Sequence, residues 1–350
     1  MNPFSELTEQ TINSDALFAT HYLPLLCEQN KKQDTLTIEL DPADATRYRL
    51  TSQFTATGPE LIIYAQNLTQ AQFDHVSRFC QQQAIQMQTC YLIAAIDGQN
   101  DCAVSWCLNQ SLTENVFAEL KQWALEQGLE IWQVNQRPSL SEPGLLLMDM
   151  DSTTIKIECI DEIAKLAGVG EEVAKVTELA MLGKLDFAES LRGRVATLKD
   201  CNESVLQSVA DNLPLMHGLE RLIKVLKQHH WKVAIASGGF TFFADKLKAQ
   251  LGLDAAVANV LTIENGKLTG EITGEIVDAQ VKARTLNELA ASFNIPQSQT
   301  VAMGDGANDL VMMSAADLGV AFEAKPIVQD KADVAINHHG LDALLFILKA

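Results

Sequence analysis

After residue 144 the chain contains three short runs of apolar residues, at 145–148, 233–236 and 301–303. Every position in these runs is apolar, without the alternation of a strand that has one solvated face. Continuous apolar strands are typical of parallel sheets covered by helices on both faces. The pattern therefore predicts an α/β domain over 144–350 with a Rossmann-like parallel sheet core.

The segment between the first two runs has a helical period instead. Apolar residues recur every three or four positions, and Gly168, Gly170 and Gly183 interrupt the pattern. This segment is too long for a simple crossover, so we expect a small inserted helical cap at about 157–214 that closes over the site. The predicted cap helices are 157–166, 171–182, 187–198 and 204–213. Farther along, Asn265 and Gly266 predict a hairpin, a two-stranded flap without a chemical role.

The first 140 residues show a different order of elements. Strand-like and helical patterns alternate as βαββαβ, which predicts an α+β domain of the ferredoxin-like type over 1–140. The predicted elements are 61–65, 69–83, 87–96, 103–108, 113–127 and 129–134. Residues 1–58 form an extension in which 35–40 and 48–54 could pair as a hairpin. The predicted linker into the α/β domain contains Pro138, Ser139, Ser141, Pro143 and Gly144.

Composition narrows the classes of function. The net charge is −19 and the pI is near 4.7, which argues against nucleic acid or an anionic membrane as a partner, because both require a basic surface. There is no run of 18 apolar residues and no basic start followed by an apolar core. Seven irregularly spaced cysteines favour reduced thiols. These features agree with a cytoplasmic enzyme.

Polar residues follow the first apolar run immediately. Asp149 and Asp151 are two positions apart at the predicted strand end. Two close carboxylates repel unless a cation lies between them or one carries a proton. Such a pair can bind Mg²⁺, act as a nucleophile and supply an acid. By itself the motif is equally compatible with a polar turn or with the metal-binding motif of a sugar transferase.

The other two apolar runs also end in polar motifs. Ser237, Gly238 and a second glycine follow the second run, where backbone N–H groups and a hydroxyl could approach an anion. The third run ends in GDGAND, which carries Asp305, Asn308 and Asp309, and oxygen ligands of this kind suit Mg²⁺. The alternative for the motif at Ser237 is an ordinary strand–helix turn, and the alternative for GDGAND is a solvated turn.

Lys282 lies between the second and third motifs. A single lysine is usually a surface residue, but this one is a candidate to neutralise a phosphoryl group. All the polar clusters would lie at the carboxyl ends of parallel strands, where open α/β sheets bind ligands.

The order DMDST, SGG, lysine and GDGAND resembles the haloacid dehalogenase superfamily of aspartate-nucleophile phosphatases. Within it the chain is most similar to the phosphoserine phosphatase family, because Glu158 and the segment ELAMLGKLDFAESLRGRVATLK at 178–199 also agree. The resemblance covers about 144–345. It implies Mg²⁺-dependent hydrolysis of phosphoserine, the last step of serine synthesis, through an aspartyl phosphate.

The resemblance also implies roles for individual residues. Asp149 would be the nucleophile and Asp151 the general acid and base, while Lys282 would serve both catalysis and phosphate binding. Mg²⁺ would be bound by Asp149, by the backbone carbonyl of Asp151 and by Asp305, with Asp309 supporting its water shell. The remaining substrate contacts would be Ser237, Gly238 and Asn308 to phosphate, Glu158 and Arg194 to the amino acid, and Met181 and Phe187 as apolar lid contacts.

Arginine grips a carboxylate through two parallel hydrogen bonds, so Arg194 suits the carboxylate of phosphoserine. Without the resemblance, Arg192 and Arg194 would be interpreted as a solvated helix face. The alternatives are an enzyme of the same superfamily acting on another small phosphorylated amine or alcohol, and an amino acid-sensing regulator with a vestigial phosphatase half. An intact catalytic set argues against the regulator.

The N-terminal region resembles the ACT-type regulatory modules of amino acid enzymes. Two roles remain open for it, an amino acid-binding regulator with an effector site, or a structural module through which the chain forms a homodimer. No decisive ligand motif is found there, so we favour the second role.

Overall fold

The protein was analysed as a computed structural model that describes residues 11–13, 37–41, 44–51, 58–65, 68–94, 97, 101–181 and 184–349. The chain divides into two compact units. The first contains the described residues up to Arg137 together with those from Ile336 onward, and the second spans Pro138–Ala335. Within the described residues, no helix is long and apolar enough to cross a membrane.

The first unit contains an antiparallel sheet whose strands follow the order β1-β3-β2-β5-β6-β4-β7. The hairpin expected in the extension is present as the β2–β3 pair. The strands are β1 (Thr11–Asn13), β2 (Thr37–Asp41), β3 (Asp44–Thr51), β4 (Glu60–Ala65), β5 (Met87–Ala94), β6 (Cys102–Leu108) and β7 (Glu130–Val134).

Among the residues that the structure describes, the two long helices of this unit are α1 (Gln70–Gln82) and α2 (Glu114–Glu126). A capping box starts α1, in which Thr69 and Gln72 each bond the other's backbone N–H group. Buried apolar side chains of both helices and of the sheet form one core. From β4 to β7 the elements follow the order βαββαβ, and the ACT-type resemblance of the region stays a prediction.

The second unit contains a mostly parallel sheet with the order β11-β10-β9-β8-β12-β13-β14. Strands β10, β9, β8, β12 and β13 pair in parallel, and β11 pairs antiparallel with β10. The strands are β8 (Leu145–Met148), β9 (Lys232–Phe240), β10 (Ala255–Glu264), β11 (Lys267–Thr273), β12 (Thr300–Gly304), β13 (Leu318–Phe322) and β14 (Val334–Ile336).

This strand order explains where a ligand can bind. The first strand of the sheet along the chain, β8, lies between β9 and β12, so the chain order reverses there. In open α/β sheets the crevice at this reversal, outside the carboxyl ends of the strands, is the ligand site. Every residue of β8 and of β12 is buried. The predicted parallel core is thus confirmed, and Asp149 and Asp305 directly follow the two neighbouring strands at its switch point.

Helices cover the sheet and fill the insert between β8 and β9. They begin and end within a few residues of the predicted positions, except that the helix expected over 204–213 ends at Ala210. A proline disfavours helical geometry at the residue before it, and Pro214 lies just beyond the end of this helix. The helices are α3 (Cys159–Ala167), α4 (Gly170–Met181), α5 (Phe187–Ala196), α6 (Ser204–Ala210), α7 (Leu219–Gln228), α8 (Thr241–Leu251), α9 (Ala279–Phe293), α10 (Leu310–Ala315) and α11 (Pro326–Gln329).

The predicted hairpin joins β10 to β11. Asn265 and Gly266 both have positive φ, 52° and 76°, as its tight turn requires. The flap also contacts the helical insert. Leu268 exchanges two backbone hydrogen bonds with the turn after α5, donating to Cys201 and accepting from Asp200, at 2.9 Å each. The flap therefore supports the insert, in addition to extending the sheet.

One strand differs from its prediction. The sequence predicts that the second apolar run ends at Ala236, but β9 continues to Phe240. Val257 of β10 pairs with Ala236 and Asn259 pairs with Phe240. Three residues of β9 thus lie opposite one residue of β10, which is a β-bulge, a feature that often redirects groups beside an active site. Ser237, Gly238 and Gly239 form this bulge.

The residues from Ile336 onward belong to the first unit, whereas the sequence predicts an α/β domain that extends over 144–350. The carboxylate of Glu130 on β7 is 1% exposed and accepts backbone hydrogen bonds from Asn337, His338 and His339 at 2.7–3.2 Å. Phe346, in the short helix α12 (Leu344–Ile347), stacks on Tyr64 with ring centroids 4.4 Å apart. A buried carboxylate needs such donors, so the first unit includes the C-terminal segment.

Candidate active site

The turn after β8 fixes Asp149 in a defined position. The backbone N–H group of Asp149 donates to the carbonyl of Met303 on β12 (2.9 Å), and its own carbonyl accepts from the Thr154 hydroxyl (2.5 Å). Its Oδ1 accepts from the N–H group of Met150 (2.7 Å). Asp149 is 6% exposed and lies at the edge of a cavity, where two hydrogen bonds to its backbone and one to its carboxylate hold it.

Lys282 lies behind this carboxylate, and its side chain is fully buried. Its Nζ is 2.8 Å from Oδ2 of Asp149 and 2.7 Å from Oδ1 of Asp309. Burial lowers the pKa of Lys282, but the two carboxylates outweigh burial and raise it above its usual value. Asp278 begins α9 by accepting from the N–H groups of Gln280 and Val281 (2.9 Å each), and this cap holds Lys282 in the first turn.

Three carboxylates converge at the switch point. One oxygen from each of Asp149, Asp305 and Asp309 lies within 4.8 Å of the others. Burial and the charge of Asp149 raise the pKa of Asp305 to about 6 and that of Asp309 to about 7. Carboxylates crowded in this way are stabilised as anions by a cation between them. Their hard oxygen ligands suit Mg²⁺, so the donor set fits a divalent metal.

Asp309 is better placed to support such a metal than to bind it through both oxygens. Its Oδ1 accepts from Lys282, and its Oδ2 accepts from the N–H group of Gly306 (3.0 Å). Asp305 accepts from the Thr153 hydroxyl (3.1 Å) through one oxygen.

The carboxyl group of Asp151 lies near two other acidic side chains, and its pKa is shifted. Burial, followed by the charges of Glu158 and Asp149, raises its pKa well above the usual value, although hydrogen bonds from the thiol and the N–H group of Cys159 oppose the shift. A carboxyl group whose pKa is raised retains its proton to a higher pH than an ordinary one, which suits a general acid. Among the described residues, its buried Oδ1 has no hydrogen-bond partner.

The bulge of β9 brings a hydroxyl and two glycines to the same cavity. The N–H group of Gly239 donates to Ser237 Oγ (2.9 Å). A Cβ atom on Gly238 would lie 2.8 Å from the ring of Phe187, and one on Gly239 would lie 2.6 Å from Met150. A side chain at Gly238 would therefore crowd the ring of Phe187, whereas the flexible end of the Met150 side chain could move away from one at Gly239.

One helix of the insert lines the opposite wall. Asp186 and Glu189 form a capping box at the start of α5. Phe187, Leu191 and Arg194 follow at helical spacing, share one face and all line the cavity, whose volume is about 220 Å³. The lining residues are Asp149, Asp151, Glu158, Ile160, Phe187, Leu191, Arg194, Ser237, Gly238, Gly239, Phe240, Asp305 and Asn308.

The structure separates the two arginines of this helix. Arg192 is exposed, whereas Arg194 is half-buried and lines the cavity. Nε of Arg194 is buried and has no hydrogen-bond partner among the described residues, so it is available to an anionic group. Glu158 lines the same cavity and accepts from the Ser152 hydroxyl (2.7 Å). The side chain of Met181 lies outside the described residues.

The structure thus places nine of the predicted site residues around one cavity, with Lys282 and Asp309 directly behind Asp149. Sequence reasoning missed four residues that hold them, Thr153, Thr154, Cys159 and Asn259. The two threonines stand in the DMDSTT motif and Cys159 follows Glu158, so proximity in sequence could have identified those three. Asn259 carries no such signal.

Residues 144–317 match the family described as haloacid dehalogenase-like hydrolase. Phosphoserine phosphatase of Haemophilus influenzae is 55% identical over 67% of this chain and 74% of its own length. The probable phosphoserine phosphatase of Vibrio cholerae, in an unliganded crystal structure, is 45% identical, with a TM-score of 0.73 over 91% of this chain and 96% of that one.

A further solved structure is described as a phospho-aspartyl intermediate analogue of phosphoserine phosphatase. It is 44% identical and has a TM-score of 0.56 over 59% of this chain and 100% of its own. Identity at this level over most of the relatives' length shows a common family. The chain belongs to the phosphoserine phosphatases of the haloacid dehalogenase-like hydrolases.

Proposed function

We propose that the protein hydrolyses O-phospho-L-serine to L-serine and phosphate, as the final step of serine biosynthesis in the cytoplasm. The observation that carries this proposal is one cavity lined by both acidic and basic groups. Asp149 and Asp305 line it, with Lys282 bonded to Asp149, and so do Glu158 and Arg194, whose Nε has no hydrogen-bond partner among the described residues. A phosphate, an ammonium and a carboxylate on one small molecule match these three sets of groups.

Asp149 attacks phosphorus, and the bond to the serine oxygen breaks while Asp151 gives that oxygen its proton. The aspartyl phosphate on Asp149 is then cleaved by water, whose proton passes to Asp151. A carboxylate nucleophile divides a very slow hydrolysis into two easier steps. The phosphoryl oxygens are held by Lys282, Ser237, Asn308 and the N–H group of Gly238. In phosphoryl transfer, positioning and charge neutralisation supply most of the rate acceleration.

Mg²⁺ would be held by Asp149, by the backbone carbonyl of Asp151 and by Asp305, with Asp309 in support. When bound, it neutralises charge on the phosphoryl oxygens. The convergence of one carboxylate oxygen each from Asp149, Asp305 and Asp309 within 4.8 Å supports the part of this assignment that concerns those three residues.

The direct test is phosphate release from a panel of phosphomonoesters, with and without Mg²⁺. The panel contains phosphoserine, phosphoethanolamine and p-nitrophenyl phosphate. We expect the highest kcat/KM for phosphoserine and loss of activity after chelation. A preference for phosphoethanolamine would instead favour an enzyme for another small phosphorylated amine.

Asp305→Ala should lose Mg²⁺ affinity first and activity as a consequence, because a carboxylate ligand is removed and the remaining donors cannot replace it. Calorimetric titration with Mg²⁺ measures the affinity, and excess Mg²⁺ should restore part of the rate. Asp245→Ala is the control, since Asp245 is exposed on α8. Unchanged Mg²⁺ binding, with no recovery of rate, would show that Asp305 is not a ligand.

Arg194→Ala should discriminate between substrates. A charge-assisted hydrogen bond is worth about 1.5–3 kcal/mol, so kcat/KM for phosphoserine should fall at least about tenfold, at 1.4 kcal/mol per decade. p-Nitrophenyl phosphate has no carboxylate and should be affected far less. Arg192→Ala, on the same helix but exposed, is the matched control. Equal losses on both substrates would assign Arg194 to the phosphate or to the stability of the cap.

For the N-terminal unit we propose a dimerising role over effector binding. Its sheet and helices have their own apolar core, and the unit also includes the C-terminal segment, so the full chain of 38.3 kDa is the appropriate sample. Light scattering over a range of concentrations should give the mass of a dimer. A monomer at every concentration would contradict this role.

A further inference from the structure

Asn259 is a buried polar residue on β10. It pairs in register with Phe240, at the end of the bulge in β9, and is 1% exposed. A buried side-chain amide must satisfy its donors and acceptor within the protein. The partners of Asn259 therefore show which backbone segments it holds.

The amide of Asn259 connects two segments of the site. Its Nδ2 donates to the carbonyl of Gly238 at 2.8 Å and to that of Gly239 at 3.3 Å. Its Oδ1 accepts from the N–H group of Val277 at 2.9 Å. One side chain thus bonds two consecutive carbonyls of the bulge and a residue just before α9.

Holding the carbonyl of Gly238 also fixes the next N–H group. The peptide bond is planar, so the C=O of Gly238 and the N–H of Gly239 keep a fixed mutual orientation. That N–H group donates to Ser237 Oγ at 2.9 Å. Because the hydroxyl oxygen accepts this bond, its own hydrogen is free to donate toward the cavity.

The second contact leads to the lysine. Val277 directly precedes Asp278, the residue that caps α9, and Lys282 lies in the first turn of that helix. Asn259 thereby fixes the spacing between the bulge with Ser237 and the helix start that carries Lys282. Both segments hold groups assigned above to the phosphoryl oxygens.

We propose that Asn259 is a positioning residue for phosphate, acting through the carbonyls of Gly238 and Gly239. The inference rests on the proposed phosphatase function and adds to it a residue that lies outside the cavity lining. A misplacement of about 1 Å can cost about 10²-fold in rate, so an amide that fixes two peptide planes has a measurable kinetic role.

Gln299, in the same unit, has a buried side-chain amide with a structural role and is a matched control for Asn259. Gln299 is 3% exposed, its Oε1 accepts from the N–H group of Ser139 (2.6 Å), and its Nε2 donates to the carbonyl of Ser139 (3.0 Å). It bonds a loop in the same manner as Asn259, but the loop at Ser139 does not line the cavity, whereas Gly238 and Gly239 do. Gln299→Leu should lower the melting temperature without changing the kinetic constants.

The experiment compares the full-length wild type with Asn259→Leu, Asn259→Asp and Gln299→Leu. Asn259→Leu removes all three bonds at similar volume. Asn259→Asp keeps an acceptor for Val277 and, as a carboxylate, lacks the donors to the two carbonyls. The measurements are competitive inhibition by inorganic phosphate, inhibition by L-serine, the kinetic constants for phosphoserine and p-nitrophenyl phosphate, and the melting temperature.

For both Asn259 variants we expect the inhibition constant of inorganic phosphate to rise about tenfold to 10²-fold, as for the loss of a hydrogen bond to a charged group, with that of L-serine unchanged. Equal changes for phosphate and serine, or an Asn259→Asp variant that binds phosphate like the wild type, would overturn the proposal. If the wild type hydrolyses p-nitrophenyl phosphate but not phosphoserine, the proposed substrate is wrong, and phosphate inhibition of p-nitrophenyl phosphate hydrolysis still decides the role of Asn259.

Discussion

Replacing Asp149 with asparagine should abolish turnover, with a loss of at least about 10⁴-fold, while the fold remains intact. The amide is nearly isosteric with the carboxylate but is a poor nucleophile, and removal of a nucleophile is among the most costly changes in an enzyme. Lys282 retains its second partner, Asp309, at 2.7 Å, so its buried charge stays paired. Acid quenching after mixing with labelled phosphoserine should trap an acyl phosphate in the wild type and none in the variant.

Asp161→Asn makes the same chemical change at an exposed carboxylate on α3 and should keep wild-type turnover. Thermal melts of both variants distinguish lost chemistry from lost structure. Phosphate trapped on a serine or histidine would exclude Asp149 as the nucleophile.

Replacing Asp151 with asparagine should slow both chemical steps and leave Mg²⁺ affinity largely unchanged. General acid–base assistance is typically worth about 10²–10⁴-fold, and the metal contact assigned to Asp151 is its backbone carbonyl. The amide oxygen can still accept the hydrogen bonds from Cys159, so the turn should keep its geometry, but the amide cannot deliver a proton.

For this variant, a substrate with a different leaving group distinguishes formation of the aspartyl phosphate from its hydrolysis. p-Nitrophenolate is stable as an anion and needs little protonation, so its release should be slowed less than that of serine. Hydrolysis of the aspartyl phosphate still requires an activated water, and we therefore expect a burst of p-nitrophenolate followed by slow turnover. Normal steady-state turnover on phosphoserine would remove Asp151 from the proton-transfer role.

The polar motifs at the strand ends could be predicted because each is local in sequence. Asp149 and Ser237 directly follow apolar runs, Asp305 follows one after a single glycine, and the carboxyl ends of parallel strands meet at one edge of a sheet. Lys282 was a weaker prediction, since nothing in its surroundings along the chain separates a buried lysine from an exposed one. Its assignment depended on the order of the other motifs.

The residues that hold the site could be predicted only in part. Asn259 lies 18–21 positions from its partners, and a single asparagine in a strand pattern has no distinguishing signal. The bulge at 237–239 was missed because a bulge depends on the register of the neighbouring strand. The contacts of Glu130 span 207–209 positions, so the grouping of the C-terminal segment with the first unit has no sequence signature.

The sequence by itself determined the parallel core, the helical insert and the set of polar residues at the strand ends, because these follow from hydrophobic period and chain neighbours. Only the tertiary structure decided that Arg194 faces the cavity while Arg192 faces solvent, and that Lys282 contacts Asp149 and Asp309. The burial and pairing of a charged side chain depend on which distant elements pack against it. Helical spacing predicts which side of its own helix a residue faces, but not which other element of the fold packs against that side.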